Sequence, residues 1–388
     1  MRPAKNANKV YEFVRRGIEM GVFQLNGRIP TERELASRFG FSCPTVSAAI
    51  HRLVREQLIR RNGKAGSVVI AVPPRRTLTF GAILIMLGKQ QQGDSIFVTV
   101  GNELAHRAGM DHSLVLLRDP SWGDDPRESG LADRFREIAD QFTARKVDGV
   151  FLMPQEILTD QAISPSTAIA ENFKEAGIPV VLIDNDIVRY PKRSQFDLVA
   201  MDNFVAGYML TEHFLGLGCR RIDFLGQLAR NPTQTARIIG YHQALKDHGI
   251  PYDSASVHYG NLHDNDFVLK IFQRRKPEAI LVISDFRAAF VMRFALQVGI
   301  KIPEDLRMGS FDDLPLAAHL PVPLTTIRQS ASGIGAAAYH SMLRRIVEPD
   351  MPPLNIQISG ELIVRASSDT QLATKLATKG SGNKPSRW

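Results

Sequence analysis

The chain has 388 residues, 44% hydrophobic and 23% charged, with 48 Lys and Arg against 40 Asp and Glu for a formal net charge of +8. That length calls for two or three hydrophobic cores of an ordinary globular protein. Two cysteines, Cys43 and Cys219, argue against a disulfide framework or a zinc site, and no apolar run reaches the ~18 residues of a membrane span or serves as a signal-peptide core, so a cytoplasmic protein without metal or cofactor is expected.

The predicted elements begin with a helix over 5–21, where Val10, Phe13, Val14 and Ile18 recur between basic residues and Phe23 follows. Thr31 with Glu34 three residues on is a capping box; Leu35, Ala36 and Phe39 form one apolar face, and Gly40 stops that helix. Ser42 can cap a further helix with Pro44 in its first turn. Val46, Ala49, Ile50 and Leu53 give its buried face, leaving Thr45, Ser47, Ala48, His51, Arg52 and Arg55 outside, a face that could enter a major groove. Residues 58–61 and 67–70 then pair as a hairpin around a basic tip of Asn62, Gly63, Lys64, Ala65 and Gly66.

Two short helices and a wing make a winged helix-turn-helix, and the stretch GRIPTERELASRFGFSCPTVSAAIHRLV resembles the GntR-type DNA-binding domain over about the first seventy residues. The resemblance implies DNA contacts at Arg33, Thr45 and the wing tip, Lys64 with Gly66; Ser47, His51 and Arg52 join them from the outward face. Where the family usually carries Arg, this chain has Cys43 and Ser47, so the operator is expected to depart from the family's consensus. Charge supports DNA over the alternative of a protein-binding winged helix. Residues 1–70 hold 13 Lys and Arg against 5 Glu and no Asp, which is the whole excess, and residues 71–388 balance at 35 against 35.

Pro73 and Pro74 mark a linker over 71–77, solvated by Arg75 and Arg76. Beyond it, strand-like runs at 78–87, 113–118, 147–153, 179–184, 197–201, 221–226, 279–284 and 307–311 alternate with helical ones at 98–109, 132–145, 206–218, 235–249 and 287–299. Such alternation predicts an α/β protein with doubly wound parallel sheets, whose ligands bind beyond the carboxyl ends of the strands. The segments GIPVVLIDND, VAMDNFVAGYMLTEHFLGLGCRRIDFLGQ, ARIIGYHQALKDHGI and VISDFRAAFVMRFALQVGIKIPEDLRMGSFDDLPLAAHLPVPLTTIRQ follow in the order of the LacI/GalR sensor domain, which is itself similar to periplasmic sugar-binding proteins.

That second resemblance covers 78–369. It implies two lobes joined by three crossovers, one near 78–198 with 328–355 and the other near 199–327 with 356–369, and an effector in the cleft between them. Carried over by motif, the effector contacts fall on Asp184, Arg237, Ser284 and Asp312. Carboxylates accept from adjacent hydroxyls and a guanidinium donates a planar pair, which suits a polyhydroxylated ligand. Each has a plainer reading: Asp184 caps a turn, Asp312 or Asp313 caps the helix near Leu314, and Arg237 pairs with a surface carboxylate. Ser284 replaces the family's usual Asn, and the ring that stacks on ligand is left among Phe97, Phe196 and Trp122. Residues 370–388 are expected to be a disordered basic tail.

Together these features imply a homodimeric, ligand-responsive repressor of carbohydrate-utilisation genes whose partners are double-stranded operator DNA and a small-molecule effector, a sugar. One alternative keeps the architecture and makes the effector a purine or other nitrogenous metabolite. The other, a sugar-metabolising enzyme, lacks a Gly-rich phosphate loop, and no catalytic constellation stands out.

Overall fold

The structure, a computed structural model, describes residues 2–63, 66–73, 76–85, 95–120, 130–154, 165–189, 191–228, 231–251 and 253–373. Lys64, Trp122 and the tail from 374 onward lie outside the described residues, and residues 370–373, expected to begin a disordered tail, end the described chain as a short helical segment.

The head consists of α1 (Arg2–Glu19), α2 (Glu32–Phe39), α3 (Cys43–Arg55) and the antiparallel pair β1 (Ile59–Arg61) and β2 (Ser67–Val69). Thr31 closes the capping box: its backbone N–H donates to Glu34 Oε2 at 2.7 Å and its hydroxyl accepts from the Glu34 N–H at 3.3 Å. Gly40 ends α2 with φ +64°, a conformation that costs a residue without a Cβ little. Ser42 stands at the N-cap of α3, but its hydroxyl bonds the Thr45 hydroxyl at 2.9 Å and caps no backbone N–H. Val46, Ala49, Ile50 and Leu53, the residues at helical spacing, are the ones buried, against Val10, Val14 and Ile18 of α1.

The first lobe runs through β3 (Thr79–Ile83), α4 (Ile96–Met110), β4 (Leu114–Arg118), α5 (Leu131–Ala144), β5 (Gly149–Leu152), α6 (Pro165–Glu175), β6 (Val180–Ile183) and β7 (Asp197–Met201). The second takes α7 (Asn203–Gly216), β8 (Ile222–Gly226), α8 (Pro232–Asp247), β9 (Val257–Tyr259), α9 (Asn265–Arg275), β10 (Ala279–Val282), α10 (Asp285–Gln297), β11 (Arg307–Asp312), α11 (Pro315–His319) and β12 (Thr325–Arg328). The chain then returns to the first lobe for α12 (Ala331–Val347) and β13 (Asn355–Ile358) and to the second for β14 (Glu361–Ile363).

Each lobe is a six-stranded sheet, ordered β13-β7-β6-β5-β3-β4 and β14-β12-β11-β10-β8-β9, with every pairing parallel except β12 with β14. Helices cover both faces, which is why the central strands are apolar throughout: Val180 and Leu182 of β6 face one core, Val181 and Ile183 the other. β7 and β13 stay in the first sheet through Met201 and Ile358, a few residues past the division expected from sequence, because each pairs along its whole length. Three crossovers therefore join the lobes, after Met201, Arg328 and Ile358.

Two contacts fix the geometry around the crossovers. In the second lobe α7 and α8 approach so closely that a Cβ on Gly207 would stand 2.0 Å from the Arg237 carbonyl oxygen, and one on Gly240 would stand 2.0 Å from that of Phe204. In the first, buried Asp197 accepts both arms of Arg345, at 2.6 and 2.9 Å, and the Leu354 N–H at 2.7 Å, tying α12 to the start of β7.

Candidate functional site

The basic head presents one face away from its core. Ser47 and His51 lie a turn apart on α3, with Ala48 and Arg55 exposed around them, and Arg33 is exposed on α2. Thr45 is half-buried beside Ser42. Gly66 closes the wing with φ +87°, its carbonyl accepting from the Asn62 N–H at 2.7 Å. Arg52 is not brought to this face. Its guanidinium lies 3.6 Å from the centre of the Tyr11 ring, donates to Asn8 at 3.1 Å and pairs with Glu56 at 3.2 Å, so it braces α3 against α1. Arg61, which the sequence did not single out, reaches from the wing strand to Ser47 and His51.

Asp184, Arg237 and Asp312 come from β6, α8 and β11 to the boundary between the lobes. Asp184 stands just past β6 with φ +69° and accepts from Asn185 Nδ2 at 2.6 Å. Asp312 ends β11 with φ +114° and Asp313 follows with φ +54°; side-chain-bearing residues in this left-handed region cost of order 1–3 kcal/mol each and persist where the surroundings impose them. Arg237 is buried with only 6% exposure; Nε donates to Asn203 Oδ1 at 2.8 Å, Nη1 to the Ile283 carbonyl at 2.7 Å, and Nη2 lies 3.9 Å from Asp312. Its guanidinium carbon sits 4.3 Å from the Phe311 ring centre. Burial disfavours its charge; Asp312, Asp184 and Asp285 counter that.

Ser284 instead caps α10, its hydroxyl accepting from the Arg287 N–H at 3.4 Å. Its neighbour Asp285 turns inward, fully buried, and accepts from Thr326 Oγ1 and the Leu314 N–H at 2.7 Å each and from Ser310 Oγ. Burial pushes the Asp285 and Asp312 carboxyls up; proximity to Asp312 raises Asp285 further, and Arg237 and Gln329 oppose the rise at Asp312.

Two further residues complete the cleft. Gln329, at the second crossover, donates Nε2 to Asp312 at 2.7 Å, while its own Oε1 is buried with no partner among the described residues. A cavity of about 560 Å³ opens there, lined from one lobe by Thr99 and Ser330 and from the other by Asp312, Asp313 and Arg328. On the Asp184 side a smaller cavity of about 50 Å³ is lined by Arg193, Asn203 and Phe204, so Phe204 offers a half-exposed ring that the sequence reading had not considered. Of the rings it had considered, Phe196 is 7% exposed within a core and Phe97 packs on the other face of the first sheet. Gln329 and Phe204 both fall inside the quoted motifs, so register could have found them. No cluster of metal-ligating side chains occurs among the described residues, and no helix among them is long and apolar enough to cross a membrane.

A basic winged helix-turn-helix joined to a two-lobed, cleft-bearing sensor defines a ligand-responsive transcriptional regulator rather than an enzyme. Residues 6–69 match the gntR family of bacterial regulatory proteins, and residues 211–368 match the periplasmic binding protein-like domain. The HTH-type transcriptional repressor PurR of Vibrio atlanticus is 26% identical over 246 residues, 62% of this chain and 70% of that protein. PurR of Pasteurella multocida is 25% identical over 357 residues, 88% and 99% of the two. Among solved structures, the CelR–cellobiose complex superposes with a TM-score of 0.64 at 20% identity, over 88% of this chain and all of that one. The chain thus joins a gntR-family match in its head to a periplasmic binding protein-like match in its sensor, the combination expected of a DNA-binding regulator.

Proposed function

We propose that the protein is a cytoplasmic, homodimeric repressor of carbohydrate-utilisation genes, released from its operator when a sugar-type effector closes the cleft on Asp184, Arg237 and Asp312. The observation that carries this reading is the approach of Arg237 Nη2 to Asp312 at 3.9 Å at the boundary between the lobes, with Asp312 lining the larger cavity and Asp184 the smaller one. Hydroxyls on adjacent carbons can donate to the two carboxylates and accept from Arg237 or Gln329. Ser284, one position from Asp285, shapes the floor. A solved relative is a complex with cellobiose, which favours a sugar; the PurR relatives favour the second reading, a purine or other nitrogenous metabolite. Arg33, Thr45, Ser47, His51, Lys64 and Gly66 are the proposed DNA contacts, and the operator is read as two half-sites by a symmetric pair of heads.

The link from cleft to head is α12. Its first turn, from Ser330 to Ser332, lines the cavity; at its other end Val347 is 4% exposed within the apolar core of the head, and Glu348 pairs with Arg38 of α2. Closure that shifts α12 shifts the head.

Isothermal titration with pentoses, hexoses, uronic acids and purines separates the two effector readings. Arg237→Ala is expected to lose the heat of effector binding while the head keeps its DNA affinity. The variant also strands Asn203 and the Ile283 carbonyl, so a loss of stability on the order of 2–4 kcal/mol accompanies it. Unchanged effector binding in a folded Arg237→Ala protein removes the cleft assignment.

A further inference from the structure

Arg61 is the last residue of β1, paired across the wing with Ser67. Its guanidinium leaves the wing and lies over the outward face of α3. Nη2 donates to Ser47 Oγ at 3.0 Å and to Glu32 Oε1 at 2.6 Å, and Nη1 approaches His51 Nε2 at 3.2 Å. One side chain thus joins the first turn of α2, the exposed face of α3 and the wing. Ser47 is the fifth residue of α3, within the half of a recognition helix that meets base edges. The helix itself offers only a hydroxyl there. Among the described residues three of the five guanidinium donors are engaged in these contacts, and the Nε proton and the second Nη1 proton have no partner among them.

We propose that Arg61 is a base-reading residue of the DNA-binding head, supplying from the wing the guanidinium that α3 lacks at Ser47 and directing it at a guanine in the major groove. Guanine presents O6 and N7 as a pair of acceptors that a guanidinium fork matches, and the fork forms when guanine takes over the Nη2 proton that the Ser47 hydroxyl holds in the free protein, beside a neighbouring Nε or Nη1 donor. Glu32 and Ser47 are positioning residues. A free arginine side chain loses on the order of 2 kcal/mol of rotamer freedom on docking, and a guanidinium already held on one side by a carboxylate and a hydroxyl has lost much of that before DNA arrives. Glu32 carries a charge of the wrong sign for a phosphate, so its place beside Arg61 is explained by orientation and not by backbone affinity. His51 accepts from Nη1 only when Nε2 is unprotonated, so the same ring that flanks the reader also limits where it can point.

The test is binding-site selection by the full-length protein from a randomised DNA duplex library, run with the wild type, Arg61→Ala and Arg61→Lys. The wild type should enrich a guanine in each half-site; both variants should lose that preference and keep the others, with affinity for the wild-type site falling roughly tenfold or more. Lysine keeps the charge, so its affinity for unrelated duplex should stay near wild type. Ser47→Arg added to Arg61→Ala should restore a guanine preference at the same or an adjacent position. Loss of affinity spread evenly over all sequences, with a shallower salt dependence, would make Arg61 a phosphate contact and overturn the proposal. An unchanged selected sequence in Arg61→Lys would overturn it too, and that variant keeps the question open to test if Arg61→Ala fails to fold.

Discussion

If α12 carries the state of the cleft to the head, weakening its far end should uncouple the two activities without abolishing either. Val347→Ala removes two methyl groups from a position 4% exposed. At about 0.8 kcal/mol per buried carbon the loss is about 1.6 kcal/mol, and incomplete collapse of the cavity adds to it. The neighbouring Arg38–Glu348 pair is worth less. Arg38 is 40% exposed, so solvent screens the attraction and the pair contributes no more than about 1 kcal/mol, part of it from the contact of Arg38 on Phe13. The apolar contact dominates, and the double variant Arg38→Ala, Val347→Ala should forfeit roughly 2 kcal/mol of the docking between head and sensor.

Coupling between an effector and a second ligand is typically 1–3 kcal/mol, so a loss of that size is most of it. The expected result is measured as operator affinity with and without saturating effector, by fluorescence anisotropy. Effector affinity stays within a few-fold of wild type, since no cleft residue has changed. The factor by which effector alters operator affinity shrinks roughly tenfold or more. A double variant that binds both ligands and retains the full factor would refute α12 as the route.

Two further outcomes follow from the cleft and its scaffold. Burial raises the neighbouring Asp312 and Asp285 carboxyls together, so negative charge at the cleft is lost as pH falls from neutral; effector affinity that depends on the Asp312 anion should decline toward about pH 5.5, while Asp312→Asn should be weaker and less steep over the same range, as titration calorimetry at several pH values would reveal. A pH-independent wild type rules out the carboxylate as an acceptor. Gly240→Ala puts a methyl group 2.0 Å from the Phe204 carbonyl oxygen, so α7 and α8 must separate; a cost of about 1–3 kcal/mol and a lower thermal midpoint are expected, and an unchanged midpoint contradicts the close approach.

Much of the architecture could be read from residues alone because its signals are local. Thr31, Glu34 and Gly40 punctuate α2, and the buried face of α3 is set by spacing. What escaped was set by distant partners. β13 reads NIQI, with neither an apolar run nor a fully buried face, and becomes a strand because β7 is beside it. α12 opens ASGIGAAA, weak in periodicity, and Gly335 is there because a Cβ would stand 2.8 Å from Glu103 of α4. Helical spacing put Arg52 outside the core correctly, but it could not tell the groove-facing side from the flank where Tyr11 waits. At the cleft, motif register supplied Asp184, Arg237 and Asp312, and no spacing rule could have brought them together from β6, α8 and β11.

The same limit explains why the route between the halves was invisible in the sequence. α12, 17 residues and so roughly 25 Å long, touches the cavity with one end and the head with the other. Arg345, two residues from the end of α12, is clamped on Asp197 and so ties the helix to the first-lobe sheet close to the head. Gln329 sits one residue before the N-cap of α12, bonded to Asp312 across the crossover, with its free oxygen buried. An effector hydroxyl that donates to that oxygen would satisfy a group whose isolation costs about 1–3 kcal/mol, in whichever lobe arrangement lets the two meet. That differential is of the size a ligand needs to bias two states, and it acts at the end of an element that also contacts the head.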